Sequence, residues 1–242
     1  MPTPPANPAS SAAAFSVVIL TAPPPGLASE ANGAFVKIDG REALLKSVEL
    51  FLNRDNVKQV LVVIASDQME EAKRKYGGHF SFSGVKMIPG GPKWMNQIAA
   101  AGKSIAPEAT HVILHDAARP AVPYSDIDAL MTEVAAHDVV GITTPLKSVL
   151  IELDEGGGPM AYHLPSRYVH LVTPQAFSLA RFKGMADTEK EIHASEVTLL
   201  KGSALNHRIS HSGEASLLKA MINMLPKPKI KAPLSPFEEA QW

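Results

Sequence analysis

The sequence predicts an α/β fold built on a doubly wound, mostly parallel sheet from which a β-hairpin arm projects, and three observations carry that prediction. Val57 to Ala65 is a nearly continuous Val/Leu/Ile run, which is how a parallel strand covered on both faces reads. Strand-sized apolar runs alternate with amphipathic helical stretches in the order βαβαβαβα from Phe15 to His137, the order of a doubly wound sheet. Beyond Val139-Val140-Gly141-Ile142 the alternation stops and an extended segment takes over.

Taken in order, Phe15 to Thr21 reads as the first strand, and Gly40 to Asn53 as a helix with Leu44, Leu45, Val48 and Leu52 on one face. After the Val57 strand, Asp67 to Tyr76 is a charged helix. Val85 to Ile88 is a short strand that enters Pro89-Gly90-Gly91-Pro92. Met95 to Ile105 is helical, Thr110 to Leu114 is a strand, and Ser125 to His137 is a helix with Ser125 as its cap. Thr144 to Leu153 is an extended arm that turns at Asp154-Glu155-Gly156-Gly157-Gly158-Pro159 and returns through Met160 to His163. A hairpin of this kind cannot bury its own apolar face, so it is expected to pack against a partner subunit. Leu171 to Phe177 rejoins the sheet, Glu196 to Leu200 is a further strand, and Gly213 to Leu225 closes the domain as a helix.

Composition bounds the function. A chain of 242 residues at 45% hydrophobic content can bury the core of one α/β domain, alone or with an appendage. Its 23 basic and 24 acidic side chains leave a formal charge of -1, which gives no pull toward nucleic acid or an anionic membrane. The absence of Cys excludes disulfides, thiolate metal sites and a Cys nucleophile, and fits a cytoplasmic setting. No apolar run is long enough to span a membrane. Residues 1–14, rich in Pro, Ala and Ser, read as a disordered tail rather than a signal peptide, and the Lys/Pro-rich residues 226–242 as a second tail. There is no internal repeat.

The most informative string is His115-Asp116-Ala117-Ala118-Arg119-Pro120, directly after Val112-Ile113-Leu114. It places a carboxylate and a guanidinium at a strand's carboxyl end, where open α/β sheets bind ligands. Ala-Ala allows close backbone approach, Arg119 can hold a phosphate bidentately, and Pro120 fixes the exit turn. His115 reads as a packing residue. A lone Asp in this position is as often a turn or cap residue as a metal ligand.

Together with Gly90-Gly91 before a helix, Thr173-Pro174-Gln175 followed by Phe177, and Gly202-Ser203 with Asn206-His207-Arg208-Ile209-Ser210, this string resembles the 2-C-methyl-D-erythritol 4-phosphate cytidylyltransferase family. The resemblance covers about Phe15 to Leu225, and implies a Rossmann-like nucleotidyltransferase domain over residues 15–225 with a homodimerisation arm at about 144–172. It implies attack by a sugar-alcohol phosphate on the α-phosphorus of CTP, in isoprenoid biosynthesis, with Mg²⁺ as cofactor. By the same resemblance Asp116 would hold Mg²⁺, Arg119 would support the acceptor phosphate, and Arg208 stands where the family has a Lys. With Lys37 these form the implied catalytic set. The implied nucleotide site is Ala22, Gly26, Gly90, Gly91, Lys93, Gln97 and Ala117. The implied acceptor site is Thr173, Gln175 and Thr188.

The chain departs from the family most in its first loop. Where the family has a Gly-rich turn followed by an Arg and a Pro-Lys pair, this chain has Thr21-Ala22-Pro23-Pro24-Pro25-Gly26. Prolines supply no N–H donors, so the usual phosphate nest cannot form there. Lys37 is the nearest replacement cation and reads equally well as a solvated strand-edge lysine. Lys93 is a second candidate, and Trp94 beside it either stacks on a base or packs. On the arm, Ser148-Val149 stands where the family has Asp-Thr. Two functions stay open: a divergent cytidylyltransferase acting on CTP and this or a related alcohol phosphate, and a catalytically impaired relative acting as a binding or regulatory protein. A dehydrogenase is excluded by the lack of a glycine fingerprint after the first strand.

Overall fold

The computed structural model describes residues 13–27 and 33–226. The tails expected at 1–14 and 226–242 therefore fall almost wholly outside the described residues, as does the middle of the first loop, 28–32.

Strand β1 (Phe15–Leu20) is buried at every position. It is followed by a short hairpin of β2 (Lys37–Ile38) and β3 (Arg41–Glu42), then α1 (Ala43–Glu49), β4 (Val57–Ala65), α2 (Met69–Phe82), β5 (Val85–Gly90), α3 (Trp94–Gly102), β6 (His111–Asp116), α4 (Tyr124–Glu133) and β7 (Val139–Pro145). The arm is β8 (Leu150–Leu153) paired with β9 (Pro159–His163). The chain returns through β10 (Val169–Ser178), α5 (Leu179–Thr188), β11 (Thr198–Lys201) and α6 (Ala215–Met224). The main sheet has the order β11-β7-β10-β6-β1-β4-β5. β10 runs antiparallel to β6 and β7, and the remaining neighbours are parallel.

Strand alternation sends side chains to two separate cores. Phe15, Val17 and Ile19 join one face with residues of α1, α2 and α4. Val18 and Leu20 join the other, under Trp94 and Ile98 of α3 and Phe182 and Met185 of α5. A third, smaller cluster packs Ile38 and Leu218 against Ala118, Ala121 and Ile209, and so ties the hairpin and α6 to the loop after β6. From β1 the chain moves one way to β4 and β5, then crosses back to β6 on the other side of β1. The carboxyl ends of β1 and β6 thus flank the point where strand order reverses, the position for a ligand in such a sheet.

Several elements differ from the sequence expectation. The helix expected from Gly40 begins at Ala43, because Asp39 and Gly40 adopt positive φ of 54° and 80° and turn the β2–β3 hairpin. The helix expected to end at Tyr76 continues to Phe82, since Phe80 buries its ring one turn on, 5.8 Å from that of Tyr76. Ser125 is not a cap: α4 starts at Tyr124 with Pro123 in the cap position. Helix α5 was not expected. Phe182, Met185 and Ala186 form its buried stripe, and the Ser178 side chain accepts the Arg181 N–H at 3.4 Å.

The loop after β6 is held from beneath by His115, which is fully buried, donates from Nε2 to the Arg119 carbonyl at 3.1 Å, and meets Phe51 edge-on at 5.2 Å. Burial, and then the nearby Arg119 charge, push its pKa down to about 3. The unfolded chain takes up this proton near its ordinary value of about 6.5 while the folded chain refuses it, so acidification from neutrality favours the unfolded state. The stability that neutral His115 contributes is intact above pH 6.5 and shrinks as pH falls toward 3. Relative to His115→Asn, the parent should lose up to about 2 kcal/mol between pH 7 and 5, read from chemical denaturation midpoints. Parallel pH profiles for the two proteins would show that His115 titrates normally.

Candidate active site at the carboxyl ends of β1 and β6

Asp116 is the last residue of β6 and is 1% exposed. Its carboxylate is fully engaged within the protein. Oδ1 accepts the Ala118 N–H at 2.9 Å, and Oδ2 accepts from Arg208 Nε at 2.8 Å. Its own N–H donates to Thr173 Oγ1 at 3.0 Å, which couples β6 to β10. Arg119 lies on the same side, with Nε 3.8 Å from Asp116 Oδ2 and one terminal nitrogen donating to the Asn206 carbonyl at 3.1 Å. The Arg119 Nε itself is buried without a hydrogen-bond partner. Burial, with the neighbouring Arg208 charge, lowers the Arg119 pKa against the opposing effect of Asp116.

Asn206 completes this network, and the sequence gave no signal that separated it from its loop neighbours. It is buried, its amide donates to the Thr173 carbonyl at 2.7 Å, and its own carbonyl holds Arg119. The neighbouring Ile209 N–H donates to the Ala118 carbonyl at 2.9 Å. Gly33 closes the arrangement: a Cβ there would lie 1.8 Å from the Ile209 carbonyl oxygen, so only glycine lets the first loop return against this strap.

At the end of β1, the Gln97 side chain does something its place in the helix did not announce. Its Oε1 accepts the backbone N–H groups of both Thr21 and Ala22, each at 3.0 Å, and all three residues are buried. Consecutive amides at a strand's carboxyl end are the donors that cradle a ligand in an open site. Here the protein binds them itself. Replacing Gln97 with Met, which keeps the length but removes the acceptor, leaves two buried amides unpaired and should cost about 2–5 kcal/mol in denaturant unfolding. A cost near zero would mean that water or a shifted backbone satisfies them.

The other predicted positions divide in two. Arg119, Arg208, Thr173 and Gln175 line one cavity of about 620 Å³, with Pro24, Trp94 and Asn206. Gly90 ends β5 and Gly91 follows it: a Cβ on Gly90 would meet Val63 and one on Gly91 would meet Asn96, both at 2.6 Å, so both glycines permit close packing. Ala117 is buried, with its N–H on the Leu20 carbonyl at 2.9 Å. Gly26 sits in an exposed turn with φ of 79°. Lys37 lies exposed on β2, opposite Glu42, and Lys93 is exposed at the start of α3. Thr188 is exposed at the end of α5 and donates to the Gly184 carbonyl at 2.7 Å. None of Lys37, Lys93 and Thr188 lines the cavity.

Magnesium does not fit Asp116 as the carboxylate stands. Among the described residues no three His, Cys, Asp or Glu side chains converge, and Oδ2 already carries a guanidinium. An ion there would add two positive charges beside Arg119 and Arg208, against one carboxylate.

Comparison with known proteins agrees with this architecture. A relative from Rhodopirellula baltica, named 2-C-methyl-D-erythritol 4-phosphate cytidylyltransferase, is 25% identical over 217 residues, covering 81% of this chain and 88% of its own. One of the same name from Vibrio vulnificus is 25% identical over 202 residues, covering 76% and 83%. Among solved structures, 4-diphosphocytidyl-2C-methyl-D-erythritol synthase of Anaerococcus prevotii superposes with a TM-score of 0.71 at 15% identity, over 88% of this chain and 97% of its own. The Thermus thermophilus cytidylyltransferase gives 0.66 at 20% identity, over 85% and 98%. The family model described as 2-C-methyl-D-erythritol 4-phosphate cytidylyltransferase matches residues 17–218, and the chain belongs to that family.

Proposed function

We propose that this chain is a divergent cytidylyltransferase that transfers CMP from CTP to 2-C-methyl-D-erythritol 4-phosphate or a related alcohol phosphate, in isoprenoid biosynthesis, and that it turns over slowly. The observation that supports this best is the cluster of Asp116, Arg119 and Arg208 beside the ends of β1 and β6. In the reaction an oxygen of the acceptor phosphate attacks the α-phosphorus of CTP, a P–O–P bond forms, the bond to the β-phosphate breaks, and pyrophosphate leaves. Two anions must approach, and Arg119 and Arg208 provide the positive charge that makes this possible. Asp116 fixes Arg208 through its Nε, so the guanidinium is held in one orientation when the phosphate arrives. Thr173 and Asn206 hold that carboxylate and Arg119 in register.

Slow turnover follows from the first loop. The Thr21 and Ala22 amides are bound by Gln97, three consecutive prolines add no donors, and Lys37 and Lys93 point to no part of the cavity lining. Losing one strong donor to a developing charge typically costs about two to three orders of magnitude in rate. The same observation favours a second reading, a catalytically impaired relative that binds a phosphate ligand and acts as a binding or regulatory protein. Pyrophosphate release with CTP and methylerythritol phosphate separates the two. We expect weak but measurable release, and a large gain when a glycine-rich loop bearing Arg and Lys replaces residues 23–35. No release from either protein would support the second reading, and robust release by the parent would overturn the slow-enzyme proposal.

The proposal includes a cytoplasmic homodimer joined through the arm. Val149, Leu150, Ile151, Leu153, Met160 and Tyr162 are between 41% and 79% exposed on one two-stranded ribbon, an apolar surface of the kind that marks an interface. Light scattering at micromolar concentration should give twice the chain mass, and deletion of the ribbon should halve it. A monomer with unchanged mass after deletion would overturn this part. No helix among the described residues is long and apolar enough to cross a membrane.

A further inference from the structure

The cavity of about 620 Å³ beside Arg119 and Arg208 has two chemically distinct ends. At one end stand the guanidiniums, with Asn206, Thr173 and Gln175. The rest passes beneath α3 and α5 and is walled by Trp94, Ile98, Leu114, Val139, Phe177 and Met185, all of them buried members of one core cluster. Ile192 and Val197, half-buried, close its outer side. A pocket of that size lined mainly by apolar and aromatic groups, with a few convergent polar groups, is built for the apolar body of a small ligand. Sugar alcohols and ribose would leave their hydroxyls against that wall without partners.

Charge identifies the other end of the ligand. Arg119 and Arg208 carry two positive charges and share the single Asp116 carboxylate, with side chains only 14% and 10% exposed. One buried positive charge is left over, and the Arg119 Nε has no partner. Glu191 also lines the cavity but is exposed, so solvent screens it. From this juxtaposition we infer that the cavity binds an amphiphile: a phosphate monoester whose head lies on Arg119 and Arg208 and whose body is an aliphatic chain running under Trp94 toward Val197. The inference rests on the proposal that these arginines hold a phosphate, and it goes beyond that proposal in naming an apolar body. It requires no nucleotide and no metal, because the two guanidiniums already exceed the single carboxylate.

Trp94 provides the readout. The chain has only two Trp, so Trp242→Phe leaves Trp94 as the sole indole. In that background, with EDTA present, n-butyl, n-hexyl and n-octyl phosphate are titrated against glycerol 3-phosphate, inorganic phosphate and n-octanol, following Trp94 emission and, in parallel, heat. Octyl phosphate should bind at least tenfold more tightly than glycerol 3-phosphate or octanol, with affinity rising up to about fourfold per methylene. Val197→Trp and, independently, Ile192→Trp fill the outer side at half-buried positions and should flatten the chain-length dependence while leaving inorganic phosphate binding unchanged. Equal affinity for octyl phosphate and glycerol 3-phosphate would overturn the apolar body while leaving the phosphate site standing. Octanol binding as tightly as octyl phosphate would overturn the anionic head. Silence from inorganic phosphate and every ester would remove the phosphate site itself, and the proposed function with it. A chain-length dependence that survives in both folded filled variants would place the alkyl group elsewhere and overturn the inference.

Discussion

One buried ion pair organises the working end of this molecule. Asp116 is almost wholly removed from water, and a carboxylate there is tolerable only because Arg208 and the Ala118 N–H satisfy its oxygens. Removing one partner of such a pair typically costs about 3–5 kcal/mol, since the other is left charged and desolvated. The pair also determines geometry. Asp116 belongs to β6 and Arg208 to the strap before α6, so the salt bridge fixes where that strap crosses the end of the sheet. Asn206 and Ile209, on the same strap, then meet Thr173 and Ala118, and Arg119 is caught between them.

The two faces of the sheet serve this end differently. The face under α1, α2 and α4 is densely filled and carries His115, whose neutral ring braces the turn that presents Arg119. The face under α3 and α5 is filled near β1 and β4 but opens toward β7 and β10, where the antiparallel return of β10 places Phe177 and Gln175 next to Leu114. An opening in an apolar layer next to an excess of buried guanidinium charge gives the site a mixed character. The first loop has moved the other way. By accepting the Thr21 and Ala22 amides, Gln97 spends inside the protein the donors that a ligand would otherwise use.

Much of this was legible in the sequence. The Val57 run, the strand-end position of Asp116 and Arg119, and the arm with its Gly-rich turn are all local patterns, and each appears where periodicity and turn chemistry place it. Even the misplaced boundaries have local causes, such as the positive φ of Gly40 that delays α1. The prolines of the first loop announce the loss of backbone donors, because proline carries none.

What the sequence alone determined is therefore the doubly wound sheet, the end of it where chemistry is concentrated, and the absence of thiol chemistry. The tertiary structure decided which of the candidate groups meet. Arg208 reaches Asp116 from 92 positions away, and Gln97 reaches Ala22 from 75, whereas Lys37, nearer to that loop in sequence, sits on an exposed hairpin edge. The reason is physical. Burial patterns repeat along the chain and can be read from it, but a hydrogen bond between two loops depends on the order of strands between them and on how closely their backbones approach. Here the close approach depends on Gly33 lying against Ile209, a contact that no periodicity encodes.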